Sequence, residues 1–105
     1  MKQYDIVIVS LDPTSGAEMK KSRPCLVVSP DEMNDSLRTV QIAPLTTNTR
    51  SYPWRVAIHF QRKKGMVALD QLRTIDKRRA SKRVGRPSAG VVSEIKRVLH
   101  EMLVQ

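Results

Sequence analysis

Arg23, Thr46 and Glu18 are the side chains whose types could act together on a phosphodiester. The Arg23 guanidinium is a planar fork that can hold two phosphate oxygens at once. Thr46 and its neighbour Thr47 follow an apolar segment, and a hydroxyl there can donate to a non-bridging oxygen. Glu18 could accept a proton, given surroundings that raise its pKa. The set suits cleavage of RNA by its own 2′-hydroxyl. That reaction needs a base near the hydroxyl, a cation for the charge building on phosphorus, and a proton for the departing 5′-oxygen. Each residue also has an ordinary role: an Arg before Pro24 as a solvated charge, threonines after a strand as caps, a loop glutamate as a solvated acid.

Trp54 opens an alternating segment, where it can be core or a base-stacking platform. His59 and His100 read as surface residues. No His pair or carboxylate cluster has metal-ligand spacing, so neither a metal nor another cofactor is expected. The 105 residues carry 19 Lys and Arg against 10 Asp and Glu, a formal net charge of +9 that favours a polyanionic partner. Positive charge is densest over residues 77–86, where Lys77, Arg78 and Arg79 could grip RNA backbone or an acidic protein segment. Cys25 is the single cysteine; it excludes an internal disulfide, fits a reducing compartment and reads as a small buried hydrophobe. With no signal-peptide pattern and no apolar run of membrane-spanning length, a cytoplasmic protein without membrane attachment is expected.

The elements that must position these residues are mostly short strands. Strands are expected over residues 4–11, 24–29 and 37–43, the third ended by Pro44. A turn follows the first at 12–16. Trp54, Val56, Ile58 and Phe60 alternate with Arg55, Ala57 and His59 in a fourth strand. A turn over 61–65 leads to a fifth at 66–69, with a sixth near 72–75. Val91, Val92, Ile95, Val98, Leu99, Met102 and Leu103 then make a helical stripe, with Pro87 and Ser88 as entry and N-cap. Residues 1–105 contain no repeat or linker and read as one domain. An antiparallel sheet or small barrel carrying a C-terminal helix is the simplest architecture. If strands two to five form a sequential meander, Arg23, Thr46, Thr47, Trp54 and Asp70 gather at one sheet end, and the loop bearing Glu18 returns there.

These residues also resemble a known family. Leu11-Asp12-Pro13-Thr14, Gly16, Glu18 and Arg23-Pro24 are similar to the opening of MazF/PemK-type toxin endoribonucleases of type II toxin–antitoxin systems. The likeness continues through Val28-Ser29-Pro30, Asn34, Ala43-Pro44-Leu45-Thr46-Thr47 and Tyr52-Pro53 to the run from Asp70-Gln71 to Arg79. The resemblance implies an SH3-like small barrel of curved antiparallel strands, the CcdB/MazF-type toxin fold, in a homodimer. It implies metal-independent, sequence-specific cutting of single-stranded RNA, leaving 2′,3′-cyclic phosphate and 5′-hydroxyl ends. Arg23 and Thr46 would take the catalytic roles, with Glu18 in support. RNA contacts are expected from Thr47, Asn48, Tyr52, Trp54, Asp70 and Gln71, and from Lys77, Arg78 and Arg79. A cognate antitoxin would lay an acidic, otherwise disordered segment along the same groove.

The chain departs from the family pattern in the first loop, where Glu18 is followed by Met19 rather than the frequent Gln. Ala17 and Ala68 stand where some members carry His and Arg, so that acid–base set is missing and the general base stays open. A related barrel toxin that poisons DNA gyrase without catalysis is the alternative. That type is tied to a tail ending in aromatics, whereas this chain ends Met102-Leu103-Val104-Gln105. A passive basic nucleic-acid-binding barrel is a third reading, for which one Trp, two Tyr and one Phe offer few stacking platforms.

Overall fold

The computed structural model describes residues 1–10 and 22–104. In chain order they form β1 (Ile6–Ser10), β2 (Ser22–Val27), α1 (Asp31–Ser36), β3 (Thr39–Thr46), β4 (Arg55–Phe60), β5 (Lys63–Ala68), β6 (Arg73–Asp76), β7 (Ala80–Gly85) and α2 (Ala89–Leu103). Leu11, the turn at 12–16 and Glu18 lie outside the described residues.

β1 to β3 are apolar on both faces because both faces are buried. Ile6, Leu26, Ala43 and Leu45 pack with Val56, Ile58 and Val67 of the β4–β5 hairpin and with Ile95 and Val98 of α2. Val7, Val9, Cys25, Val27, Val40, Ile42 and Ile75 form a second cluster on the other face. Each fully buried Val, Leu or Ile contributes roughly 1.5–3 kcal/mol relative to exposure. The hydrogen-bonded order is β4-β5-β3-β2-β1-β7, with β6 pairing β3 below β5. β6 leads into β7 through a single 3-10 turn, Lys77–Arg79, so β6, β3, β2, β1 and β7 curl around the second cluster. The path stays open, but Phe60 of β4 lies against Gly85 of β7. This is the expected class: a mainly β, curved antiparallel sheet with a C-terminal helix.

α2 starts as expected, with the Val91 amide donating to Ser88 Oγ at 3.3 Å. Ile95 and Val98 are buried and Val91, Val92 and Leu99 pack beside them, while Leu103 stays 65% exposed, so the apolar stripe overruns the core. Among the described residues no helix is long and apolar enough to cross a membrane.

The strand pairing corrects the sequential meander. β5 rather than β4 pairs with β3, through Leu45↔Val67 and Thr46↔Met66. The connection from β4 is only Gln61–Arg62, whose φ values of 51° and 65° make a two-residue hairpin turn. Phe60 therefore pairs with Lys63, and residues 63–65 belong to β5 rather than to a turn. Pro44 does not end β3: it stays in register with Cys25 of β2, and Leu45 and Thr46 carry the strand on in pairing with β5. Tyr4, at φ 71°, turns the chain instead of starting β1.

Two elements have no counterpart in the sequence reading. The first, α1, is held by Asn34, which donates to the Ser29 carbonyl at 2.9 Å and accepts from Ser29 Oγ at 2.5 Å. The second, β7, is drawn from the basic run and pairs β1 through Ile6↔Gly85 and Val7↔Arg83. The buried Asp5 carboxylate anchors its end, accepting from Arg83 Nε at 2.9 Å, Arg86 Nη1 at 3.4 Å and the Lys2 amide at 3.0 Å.

Candidate active site

The β2–β3 register runs Val27↔Ile42, Leu26↔Ala43, Cys25↔Pro44. Carried two residues further, it sets Arg23 opposite Thr46. Both line one cleft of about 370 Å³, together with Ser22, Thr47 and the hairpin residues Phe60, Gln61, Lys63, Lys64 and Gly65. Gly65 is what lets the hairpin meet β3: a Cβ there would sit 2.5 Å from the Thr46 carbonyl oxygen, a separation real Cβ atoms do not show. The Thr46 hydroxyl has its own orientation fixed locally. Its Oγ1 accepts from the Asn48 amide at 3.1 Å, and Asn48 Oδ1 accepts from the Arg50 amide at 3.0 Å. With a lone pair occupied by Asn48, the Thr46 O–H proton can be donated to an oxygen atom in the cleft. Arg23 is exposed there, so its fork can receive an anion. Beneath it, Cys25 Sγ donates weakly to the Arg23 carbonyl at 3.6 Å. Burial outweighs the charges of Arg23 and Arg73 and pushes this thiol up to about 12, which removes it as a nucleophile.

Trp54 and Asp70 do not line this cleft. The pair Arg55↔Ala68 ends the β4–β5 hairpin opposite to Phe60↔Lys63, so the residues flanking it fall away from Thr46. There they build a separate cluster. The Tyr52 and Trp54 rings stack at 5.3 Å with 14° between planes, and Trp54 remains 40% exposed. The Arg55 and Arg50 guanidinium carbons lie 5.2 and 5.5 Å from the Tyr52 ring centre. Asp70 takes Arg55 in a two-pronged pair, Nε–Oδ1 at 3.0 Å and Nη2–Oδ2 at 3.2 Å. That hydrogen bonding raises the Arg55 pKa and, outweighing burial, holds the Asp70 carboxyl below its ordinary value. Asp70 thus positions Arg55 under the aromatic pair. Gln71 follows it, exposed, at the end of the 3-10 turn Leu69–Gln71.

Residues 2–103 match the sequence profile of the PemK-like, MazF-like toxin of type II toxin–antitoxin systems. The chain belongs to this family. It is 36% identical over 101 residues to an Escherichia coli protein named endoribonuclease PemK, covering 90% of this chain and 76% of that one. It is 34% identical over 71 residues to the endoribonuclease toxin MazF of Escherichia coli K12, covering 68% of this chain. The chain spans 64% of the length of that MazF. Among solved structures, MazE–MazF from Deinococcus radiodurans superposes with a TM-score of 0.80 at 28% identity, covering 98% of this chain and 95% of that one.

Within this MazF/PemK-type fold the 3-10 turn of the basic run falls far from the cleft. Asp76, just before it, pairs with Thr39 at the start of β3, while Thr46 ends β3 seven residues on, roughly 23 Å away at strand rise. Lys77 donates to the Asn34 carbonyl, and Arg78 clamps Asp76 through Nε at 3.2 Å and Nη2 at 3.0 Å. Lys77 thus ties the turn to α1, Arg78 closes it onto the end of β6, and Arg79 shares their turn. Sequence reasoning missed Gln61, Lys63 and Lys64 on the cleft wall and Arg50 and Arg55 around Tyr52. The signal for the lysines was the hairpin register, which a Gln-Arg turn hides because it lacks the Asn-Gly signature. Glu18 lies outside the described residues.

Proposed function

We propose that this toxin-family chain is an endoribonuclease that cuts single-stranded RNA by attack of the 2′-hydroxyl on the adjacent phosphate. The observation that carries the reading is the meeting of Arg23 and Thr46 in one cleft, from positions 23 residues apart in the chain. Arg23 holds two phosphate oxygens, and Thr46 donates its hydroxyl proton to a non-bridging oxygen as negative charge builds on phosphorus. The 2′-oxygen forms its bond to phosphorus, giving its proton to a base, for which Glu18 is the candidate. The P–O5′ bond breaks, and the 5′-oxygen takes a proton, leaving a 2′,3′-cyclic phosphate and a 5′-hydroxyl. Neither product requires a metal or cofactor. Thr47 borders the reacting phosphate, with Asn48 behind it orienting the Thr46 hydroxyl, and the exposed Trp54 face, backed by Tyr52, Arg55 and Asp70, offers a stacking surface for a base.

Cutting of messenger RNA in the bacterial cytoplasm stops translation and growth. A cognate antitoxin with an acidic, disordered segment neutralises the toxin by occupying the cationic cleft, and the active form is a homodimer. The test is incubation of purified protein with long single-stranded RNA in excess EDTA, with end-mapping of products. Wild type should leave cyclic phosphate ends, and Arg23→Ala should cut about 10²–10³-fold more slowly, the cost typical of one lost transition-state contact. Full-rate cutting by Arg23→Ala, or no cutting by wild type, defeats the mechanism.

A further inference from the structure

We infer that the tip of the β4–β5 hairpin is a second phosphate subsite, in which Lys63 and Lys64 hold the RNA backbone beside the scissile phosphate. The inference rests on the ribonuclease reading for the identity of the strand, but its own basis is the part of the cleft lining that the β4–β5 hairpin contributes beside Arg23 and Thr46. The described lining contains three cations, Arg23, Lys63 and Lys64, and no Asp or Glu. Among the described residues, no carboxylate is ion-paired with any of the three. Like charges gathered in a cleft repel one another and create a local positive potential that a polyanion relieves.

The hairpin cannot easily swing away from this arrangement. Its turn residues Gln61 and Arg62 both hold left-handed backbone, φ 51° and 65°, although neither is glycine. Such residues cost roughly 1–2 kcal/mol each, a strain that concentrates where geometry serves a ligand. Next to them Gly65 seats the hairpin against the Thr46 carbonyl, and Phe60 braces it against Gly85 of β7. The lysines are therefore carried on a braced strand rather than a floppy loop.

Strand geometry decides what they can grip. Lys63 shares its face with Phe60 and Gly65, whereas Lys64 shares its face with His59 and Met66. Side chains that leave opposite faces of one strand at the cleft edge are suited to two different phosphates rather than to one. Since Arg23 and Thr46 take the reacting one, Lys63 and Lys64 serve phosphates further along the strand. The fitting substrate is a single-stranded polynucleotide with charge beyond the cut, not an isolated dinucleotide.

The experiment measures binding of wild type and the double variant Lys63→Gln/Lys64→Gln to a 2′-O-methylated single-stranded RNA, which cannot be cut, across a salt series. For single strands, log affinity falls with log salt by about 0.7 per neutralised phosphate, so the double variant should lose about 1.4 from the slope. On cleavable RNA its KM should rise with kcat unchanged, the mark of lost uniform binding. Lys96→Gln, on α2 outside the cleft, should keep the wild-type slope, and matching thermal midpoints verify folding. An unchanged slope in the double variant overturns the subsite. So does an equal loss in Lys96→Gln, which would mean bulk charge, or a fall in kcat at constant KM. If wild type binds with the expected lysine-dependent slope but never cuts RNA, the ribonuclease reading fails and the subsite stands.

Discussion

Gly65→Ala should damage the cleft out of proportion to its size. The added Cβ would lie 2.5 Å from the Thr46 carbonyl oxygen, and ordinary contact begins at 3.4 Å, so the strands must part by about 0.9 Å. The obstacle is backbone, not the end of a flexible side chain, so β3 itself has to give at its last residue. Overpacking of this kind costs about 1–3 kcal/mol of stability. A displacement near 1 Å at a reacting group can cost about 10² in rate. Single-turnover cleavage, run well below the melting temperature, separates the second effect from the first. Two other glycines calibrate the result. At Gly85 an added Cβ meets the Phe60 ring edge at 2.9 Å, which a side-chain rotation can relieve; at Gly90 the nearest atom is Ser88 Oγ at 4.0 Å. Gly85→Ala should therefore slow cutting less than Gly65→Ala, through displacement of the Phe60 ring alone, and Gly90→Ala should gain roughly 0.5 kcal/mol from helix propensity with no change in rate. Wild-type single-turnover rates in Gly65→Ala would refute the claim that this close approach positions Thr46.

Asp5 should make stability pH-dependent. Burial raises its carboxyl, but hydrogen bonds from Arg83 and the Lys2 amide, with the charges of Arg83 and Arg86, outweigh it and hold the pKa below 3.8. Stability from a depressed carboxyl is fully present above its unfolded value and is lost as pH falls through the folded one. Asp5→Asn should thus cost about 1–2 kcal/mol at neutral pH, discounted for the half-exposed arginines, and chemical denaturation in strong acid should show the difference closing. Cys25, raised to about 12 by burial, should resist thiol reagents at mildly alkaline pH and react only on unfolding; rapid stoichiometric labelling of the native protein would contradict this.

Hydrophobic patterning made the core strands and α2 legible, because Val56, Ile58 and Phe60 alternate and Ile95 and Val98 recur at helical spacing. The meeting of Arg23 and Thr46 was legible as well, since it needs only that β2 and β3 be neighbours. The rest depended on information that residue types do not carry locally. Docking of β5 onto β3 is a long-range choice between two hairpin edges, permitted by one absent side chain at Gly65. It reverses which end of the hairpin meets Thr46, and so Trp54 and Asp70 exchange places with Lys63 and Lys64. β7 was masked by its own composition: with Lys82 and Arg83 exposed, it is recognisable only through its backbone pairing with β1. α1, at six residues, is shorter than any periodicity can reveal.

The position of the cleft follows from the two cores. Like β1, β2 and β3 are gripped from both faces, Leu26 and Ala43 by one cluster and Cys25, Val27 and Ile42 by the other. Arg23 and Thr46 extend from the ends of these same strands, two residues beyond the buried Cys25 and one beyond the buried Leu45. Neither can shift without strain in two packed interiors at once, and a site that must hold phosphate oxygens within about 0.5 Å needs support of that kind. The aromatic pair has the opposite footing. Tyr52 and Trp54 sit in the connection between β3 and β4, outside both clusters, and rely on Arg55 and Asp70 for their support. Phosphate chemistry is identical at every nucleotide and rewards rigidity, whereas bases differ in size and reward a surface that can adjust. On the proposed ribonuclease reading, the fold supplies the first from its twice-buried strands and the second from a loop, and changes in either core should then slow the cut well before they unfold the chain.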